Sequence, residues 1–432
     1  MRSVLRFCFS FFLLLGLAGL AQAGPVIAHW QTPAGTRVYF VPLRDLPILD
    51  VQLDFAAGSV FDPAGKAGLA FLTHALLDLG AEDLDETAIS NRLADVGATL
   101  GGGLERDRAS IRLRTLAQPE KRAEAFAVLE RILRQPHFDA AIFARERDRA
   151  IAGLKDALTR PGTLANRAFW STLYPEHPYG RLTTPESLVA TQAEDLRQFW
   201  QEHYGATNAV LTIVGDISRA EAESLAERLA AALPAGGKVV LPEPPRPGVG
   251  KTVAIPHPAS QAHIFAGTPA IARGDPDFFP LLVGNYTLGG GGFVSRLMTE
   301  VREKRGFAYS VYSAFSPLRQ AGPFLIGLQT RKEQADEALA VTRKVVSDFL
   351  EKGPTPEELK TAQDNLAGSF PLRLDSNGKI LDHVATIGFY GLPLDYLDTY
   401  QARVRAVTAE DVRRSFARHL DPQAFVTVIV GP

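Results

Sequence analysis

The stretch AEDLRQFWQEHYGATNAVLTIVGD, residues 193–216, returns in altered form as AEDVRRSFARHLDPQAFVTVIVGP, residues 409–432. The two copies align without a gap at an offset of 216, so that His203 falls on His419 and Gly215 on Gly431. Each copy predicts a helix that begins at Ala-Glu-Asp, then a turn and a short apolar strand. A repeat of this length indicates that the chain consists of two related halves.

The same offset relates a second pair of helical stretches. FDAAIFARERDRAIAG, from Phe138, aligns with PTPEELKTAQDNLAGS, from Pro354, and both have apolar residues at helical spacing. The halves meet in LPEPPRPGVG, residues 241–250, whose prolines are typical of an exposed, semi-rigid linker. We therefore predict an N-terminal domain over residues 24–240 and a C-terminal domain over residues 251–432.

Each half mixes apolar strands near its start and its end with long helices between them. VLTIVG, from Val210, is typical of a buried strand, and RAEAESLAERLAAAL, from Arg219, is typical of an amphipathic helix. This order of elements predicts an α+β fold with two duplicated domains. Each domain would be a mainly antiparallel sheet with helices packed on one face.

The first 23 residues have the features of a secretory signal peptide. Arg2 and Arg6 precede an apolar run over residues 7–20, and Ala21-Gln22-Ala23 offers the small residues that a cleavage site needs. The run is shorter than the roughly twenty residues of a membrane span, so a membrane anchor is the weaker interpretation. We expect a signal peptide over residues 1–23, export to the periplasm and no membrane attachment after cleavage.

Composition argues against several other classes of protein. The single cysteine, Cys8, lies in the predicted signal, so the mature chain would form neither a disulfide nor a thiolate metal site. The net charge is −2, so the chain lacks the excess of basic residues that is typical of nucleic-acid-binding proteins. GVGKT, residues 248–252, lacks the first glycine of a phosphate-binding loop because residue 245 is proline.

The segment GLAFLTHALLDLG, residues 68–80, predicts a helix with an incomplete metal motif. An inverted zinc-peptidase motif, His-x-x-Glu-His, places two imidazoles on one helix face beside a carboxylate base. In this chain Ala70, which has no donor atom, stands at the first histidine position of the motif. Thr73 stands at the glutamate position, and His74 stands at the second histidine position. The Thr73 hydroxyl cannot act as a carboxylate base near neutral pH, and one imidazole cannot retain zinc by itself.

Four segments resemble the pitrilysin/insulinase family of zinc peptidases, which includes the mitochondrial processing peptidase subunits. They are AGLAFLTHALLDLG, GATLGGGLERDRASIRL, RERDRAIAG and LGGGGFVSRLMTEVREKRGFAYSVYS. The resemblance implies a third zinc ligand seven residues after the glutamate that Glu146 matches, and that position is Gly153. It therefore implies a zinc site degenerate at Ala70, Thr73 and Gly153, with His74 retained and no metal bound by this chain.

In the resembling peptidases the C-terminal domain supplies an arginine and, seven residues later, a tyrosine that hold the substrate. Arg302 and Tyr309 have this spacing in VREKRGFAYSVYSAF. The local pattern predicts a helix that stops at Gly306 and a strand in which Phe307, Tyr309, Val311, Ser313 and Phe315 point to one side. The glycines at 289–292 suit either the close approach of a peptide or a tight turn.

The resemblance implies a non-catalytic, substrate-binding subunit that is inactive alone. A homologous partner subunit would hold the zinc, and the Arg302/Tyr309 pair would contribute to metalloendopeptidase activity only in that heterodimer. The substrate would be an extended peptide added to a sheet edge. Two alternatives remain: a peptide-binding or scaffold protein without a peptidase partner, and a hydrolase with a relocated site, for which the sequence offers neither a nucleophile elbow nor another His-Glu cluster.

Overall fold

The computed structural model describes residues 24–246 and 250–431. The predicted signal peptide, residues 1–23, and part of the predicted linker, residues 247–249, lie outside the described residues. Across the described ranges, no helix combines the length and the hydropathy that a membrane crossing requires.

The first half is built on a six-stranded sheet. Its strands in chain order are β1 (Ala28–Gln31), β2 (Arg37–Pro42), β3 (Ile48–Phe55), β4 (Thr99–Leu104), β5 (Ala109–Leu116) and β6 (Ala209–Gly215). Their spatial order is β1-β2-β6-β3-β5-β4, and only β2 and β6 pair in parallel. Strand β6 is buried along its whole length, as its apolar sequence requires, while β4 forms an edge of the sheet.

Eight helices accompany this sheet within residues 24–246. They are α1 (Leu69–Ala75), α2 (Glu86–Asp95), α3 (Pro119–Arg134), α4 (Ala140–Ala157), α5 (Pro161–Leu173), α6 (Pro185–Ala190), α7 (Ala193–His203) and α8 (Arg219–Ala232). Capping residues define where several of these helices begin. At α8 the Ser218 side chain accepts the backbone N–H of Glu221, and the Glu221 side chain accepts the backbone N–H of Ser218. Apolar residues of α1, α2, α3, α7 and α8 form one core with one face of the sheet.

The second half repeats this plan with one strand fewer. Its strands are β7 (Thr252–Ile255), β8 (Gln261–Ile271), β9 (Ala308–Phe315), β10 (Gly322–Arg331) and β11 (Val426–Val430). Their order is β7-β11-β8-β10-β9, again with one parallel pair, β7 and β11. The arrangement matches β2-β6-β3-β5-β4 of the first sheet strand for strand, and β9 is the edge that corresponds to β4.

The helices of the second half also follow the repeat. They are α9 (Phe278–Asn285), α10 (Ala335–Lys352), α11 (Pro356–Gly368), α12 (Asn377–Tyr390), α13 (Tyr396–Ala406) and α14 (Ala409–His419), with π-helical turns at Tyr286–Gly290 and Met298–Glu303. The first residues of α5 and α12 stand 216 positions apart, and so do those of α7 and α14. The predicted α+β fold with two duplicated domains is confirmed.

One helix of each half packs on the sheet of the other half. Helix α5 lies on β8 and β11, where Phe169 and Leu173 join a core with Val426, Val428 and Val430. Helix α12 lies on β6 and β3. Each sheet therefore carries its own helices on one face, as predicted, and an exchanged helix on the other face.

Gly388 lets α12 lie close to the first sheet. A Cβ atom at this position would come within 2.8 Å of the side chains of Tyr39 and Val210. The backbone is close enough for the Arg37 guanidinium to donate to the Gly388 carbonyl at 3.3 Å. A larger residue would push the exchanged helix away from the sheet.

A buried hydrogen-bond cluster also joins the halves. Asp107, between β4 and β5, accepts the hydroxyl of Tyr179 at 2.5 Å and the backbone N–H of Arg319 at 2.7 Å. Arg319 lies between β9 and β10. The side-chain oxygen Oε1 of the next residue, Gln320, lies 2.7 Å from Nε2 of His177. These contacts hold the loop at 316–321 against the first half, and Gln320 also donates to the Pro242 carbonyl of the linker.

Candidate functional site

Helix α1 is fixed at its start by a buried carboxylate. Asp62 accepts the backbone N–H groups of Gly68 and Ala70, each at 2.7 Å. Burial raises the pKa of Asp62 to about 6, although the two hydrogen bonds and Arg181 act in the opposite direction. The helix that carries the degenerate metal positions is therefore held firmly in place.

The structure tests whether those positions could hold zinc. Ala70 and Thr73 are fully buried, and the Thr73 hydroxyl donates to the Leu69 carbonyl at 2.9 Å. Gly153, on α4, has open space around its Cβ position and no donor of its own. His74 alone offers a ligand atom, so these four positions cannot supply the three protein ligands that a zinc centre needs.

His74 borders a small cavity between α1 and the edge strand β4. The cavity has a volume of about 160 Å³, and we call it the His74 cavity. The other side chains that border it are mainly aliphatic: Ala75, Leu77, Leu100, Ile111 and Ile132, together with Asp78. Burial lowers the pKa of His74, and its Nδ1 atom has no hydrogen-bond partner among the described residues. The imidazole is thus a neutral group in an apolar setting.

A different group of possible metal ligands was missed by the sequence analysis. Within residues 24–246 and 250–431, only Asp275, Asp277 and His419 bring three such atoms together. Asp277 already accepts from the Arg418 guanidinium at 2.7 Å and lies 3.0 Å from His419 Nε2. His419 also contacts the Ala270 carbonyl through Nδ1, at 3.3 Å. His203, its repeat counterpart, makes the same kind of contact with the Ala56 carbonyl, at 2.9 Å. The group is best explained as an ion-pair cluster that ties α14 to α9.

Arg302 and Tyr309 lie side by side in the structure. Arg302 belongs to the π-helical turn Met298–Glu303, and Gly306 follows with a φ of 62°, as the predicted helix stop requires. The guanidinium carbon lies 5.2 Å from the ring centre of Tyr309 and 4.9 Å from that of Phe293. These distances are those of cation–π contacts.

Strand β9 departs from regular alternation at Tyr309. Its register with β10 shifts between Ala308 and Ser310. Val311 and Ser313 are buried, whereas Tyr309 is 78% exposed. The prediction that Tyr309 shares a side with Val311 and Ser313 was wrong, because the bulge adds one residue to the strand and turns this ring outward.

The glycine run at 289–292 is required by local geometry. A Cβ atom at Gly289 would lie 2.5 Å from the Ser313 nitrogen, and Gly292 has a φ of 61°. The structure therefore accounts for the run as a tight turn, and the approach of a peptide to it stays a prediction. Phe293 and Val294 follow directly, and both are exposed.

Comparisons with known proteins agree with this geometry. The family model described as insulinase (peptidase family M16) matches residues 47–185, and the model described as peptidase M16 inactive domain matches residues 191–366. The crystal structure of a peptidase M16 inactive domain from Pseudomonas fluorescens is 37% identical, with a TM-score of 0.91, over 94% of this chain and 98% of that chain. The chain belongs to peptidase family M16.

Two further relatives are similar to this chain over different lengths. The non-peptidase homolog YmxG of Helicobacter pylori is 25% identical over 97% of both chains. An uncharacterized zinc protease of Streptomyces coelicolor is 30% identical over 63% of this chain, which spans 61% of that relative. Zinc, which the M16 family implies, does not fit the residues present here, since Ala70, Thr73 and Gly153 leave His74 without other ligands. We therefore class the chain among the non-peptidase members of M16.

Proposed function

We propose that this protein is the non-catalytic, peptide-binding subunit of a heterodimeric zinc peptidase in the periplasm. A homologous partner subunit would hold the zinc, and Arg302 and Tyr309 would orient the peptide bond that is cut there. One observation carries the proposal: an arginine and an exposed tyrosine converge on the surface of a chain whose own metal positions are lost.

The chemistry of the pair suits an amide bond under attack. A guanidinium donates up to five N–H groups and a phenol donates one O–H, so both can bind a carbonyl oxygen as it gains negative charge. The contact between Phe293 and Arg302 limits the orientations of the guanidinium before substrate arrives. The bulge at Tyr309 projects the phenol outward, where a second chain could present its substrate.

The free edge of β4 is the proposed place for the peptide. Its sequence, TLGGGL, leaves the main chain accessible, and open space surrounds the Cβ position of Gly101. Gly102 cannot carry a side chain, because a Cβ atom would lie 1.9 Å from the Ser110 carbonyl oxygen. An extended peptide can pair with such an edge through backbone hydrogen bonds.

The periplasmic location rests on the predicted signal peptide at residues 1–23. A protein that holds peptides without a peptidase partner is the second candidate, and one observation favours it. The β4 edge and the His74 cavity belong to this chain alone and need no second subunit.

Reconstitution with a homologous zinc-bearing subunit tests the first candidate. Arg302→Ala and Tyr309→Phe should each lower kcat/KM of the complex about a hundredfold, while the melting temperature and partner affinity stay unchanged. Matched controls are Arg403→Ala, which removes another arginine–aromatic contact, and Tyr312→Phe on the same strand. Wild-type cleavage by both site variants would remove the catalytic role and leave the peptide-holding candidate.

A further inference from the structure

Strand β4 separates two recesses of opposite character. Leu100, Gly101 and Gly102 border the His74 cavity on one side. Thr99 and Gly101 border a groove of about 510 Å³ on the other side, between the first sheet and the start of α12. Side chains of an added strand alternate between the two faces of a sheet. Consecutive residues of a peptide on β4 would therefore meet different surroundings.

The His74 cavity suits an aliphatic group. An apolar cavity of about 150 Å³ is large enough to hold a benzene molecule, so a branched aliphatic side chain fits the 160 Å³ present here. Burial of each methylene group there should raise the affinity about fourfold.

The second recess, which we call the Arg112 groove, is bordered by cationic side chains. Arg112, Arg114 and Lys379 border it together with Asp382. Each cation has a carboxylate partner: Arg112 pairs with Asp382, Arg114 with Asp50 and Lys379 with Asp375. Lys379 lies in the first turn of α12, where the partial positive charge of a helix start adds to the field.

Hydrogen bonds to neighbouring groups fix the positions of Arg112 and Arg114. Arg114 donates through Nε and Nη2 to the buried Asp50, at 2.8 and 3.0 Å, so its Nη1 remains available. Arg112 donates to Asp382 at 3.0 Å and to the Gly378 carbonyl at 3.3 Å, so its Nε remains available. Both guanidinium groups come within 3.3 Å of the Cβ position of Gly378. The two guanidinium groups are therefore neighbours in the groove, and each keeps one N–H group available there.

We infer that the peptide held at β4 has an aliphatic residue next to an acidic one. The aliphatic side chain would enter the His74 cavity, and the carboxylate of its neighbour would bind Arg112, Arg114 and Lys379 in the Arg112 groove. A lysine at the second position would offer no acceptor atom to the available N–H groups, which disfavours binding. The inference rests on the proposed binding of a peptide to β4 and is independent of any catalytic role of Arg302 and Tyr309.

Fluorescence anisotropy with short labelled peptides, blocked at both ends, tests this preference on the mature chain. A peptide with a central Leu-Glu pair should bind about tenfold more tightly than matched peptides with Leu-Lys or Ala-Glu. Raising the NaCl concentration should reduce the Glu/Lys difference and leave the Leu/Ala difference unchanged.

Protein variants locate the two recesses. Lys379→Glu and Arg112→Gln should each shrink the Glu/Lys preference severalfold, whereas Lys360→Glu, at another exposed lysine of a helical i,i+4 pair, should not. Ala75→Leu should fill the His74 cavity and abolish the Leu/Ala preference, with Ala75→Met as a second variant that fills it more flexibly. Thermal melting establishes that each variant is folded.

Each outcome is decisive. Equal affinity for the Leu-Glu and Leu-Lys peptides, or a preference that survives both groove variants, overturns the acidic specificity while peptide holding stands. A Leu/Ala preference that survives both Ala75 variants overturns the assignment of the His74 cavity. Failure of every peptide to bind removes the inference together with the peptide-holding proposal.

Discussion

Tyr390, on the exchanged helix α12, donates a hydrogen bond of 3.1 Å to Asp107 in the other half of the chain. The same carboxylate accepts from Tyr179 and from the backbone of Arg319, and only 2% of the Asp107 surface is exposed. Three donors from separate parts of the chain therefore depend on one acceptor. Asp107 lies in the loop that directly follows β4, so the position of β4 depends on this carboxylate as well.

Removal of this acceptor should weaken the whole molecule. Asp107→Ala leaves three donors without a partner, and we expect the free energy of unfolding to fall by roughly 3 kcal/mol or more. Tyr390→Phe removes a single bond and should cost about 1 kcal/mol. Urea denaturation monitored by fluorescence measures both values. Equal midpoints for wild type and Asp107→Ala would contradict the assigned role.

Asp54 should make stability depend on pH. Burial raises the pKa of Asp54 to about 7, although Arg108 and Gln52 act in the opposite direction. The unfolded chain has a value of about 4, so the folded state binds this proton more tightly. Its stabilising contribution is present below about pH 4 and is lost as the pH rises to about 7.

Asp54→Asn keeps the shape of the side chain and cannot titrate. The free energy of unfolding of the wild type, relative to this variant, should fall by up to about 1.4 kcal/mol per pH unit between pH 4 and 7. Denaturation of both proteins at several pH values gives the difference. A constant difference over this range would show that the carboxyl group does not change protonation there.

The degenerate metal positions predict poor zinc binding, even when the residues of the zinc motif are restored at two of them. The wild type should hold well under one zinc per chain after dialysis. Ala70→His with Thr73→Glu should also stay below one, because Gly153 still supplies no ligand and a glutamate at 73 would be buried. Addition of Gly153→Glu, at a position with open space, should increase the zinc content. Stoichiometric zinc in the wild type, measured by mass spectrometry, would be the contrary result.

The linker should be the first place that a protease cuts. The described residues between α8 and β7 form neither helix nor strand, and most are exposed. Limited proteolysis under native conditions should therefore nick residues 241–250 and give two fragments of similar size on a denaturing gel. The fragments should still elute together, because the exchanged helices and Asp107 hold the halves. A first cut inside either sheet would argue against this boundary.

The sequence predicted the features that depend on local pattern. The offset of 216 anticipated that α7 and α14 begin at Ala193 and Ala409, because capping residues and apolar spacing act within a few residues. The same reasoning located the helix stop at Gly306. It could also recognise that Ala70 and Thr73 lack donors, which is a matter of residue type alone.

Other features depend on contacts between distant segments. The amphipathic pattern of α5 shows which of its faces is apolar but not that the face packs on the second sheet. The outward turn of Tyr309 depends on its register with β10, which the alternation of β9 does not contain. The recesses beside β4 likewise arise only when α1 and α12 approach the strand from opposite faces.

The exchange of α5 and α12 has a consequence for the ancestry of the chain. A single ancestral half could cover both faces of its sheet by trading this helix with a second copy, as in a domain-swapped homodimer. Fusion of two such genes would then make the exchange intramolecular. The halves, expressed today as separate polypeptides, should each aggregate alone and recover a native fold when they are refolded together, as complementing fragments do.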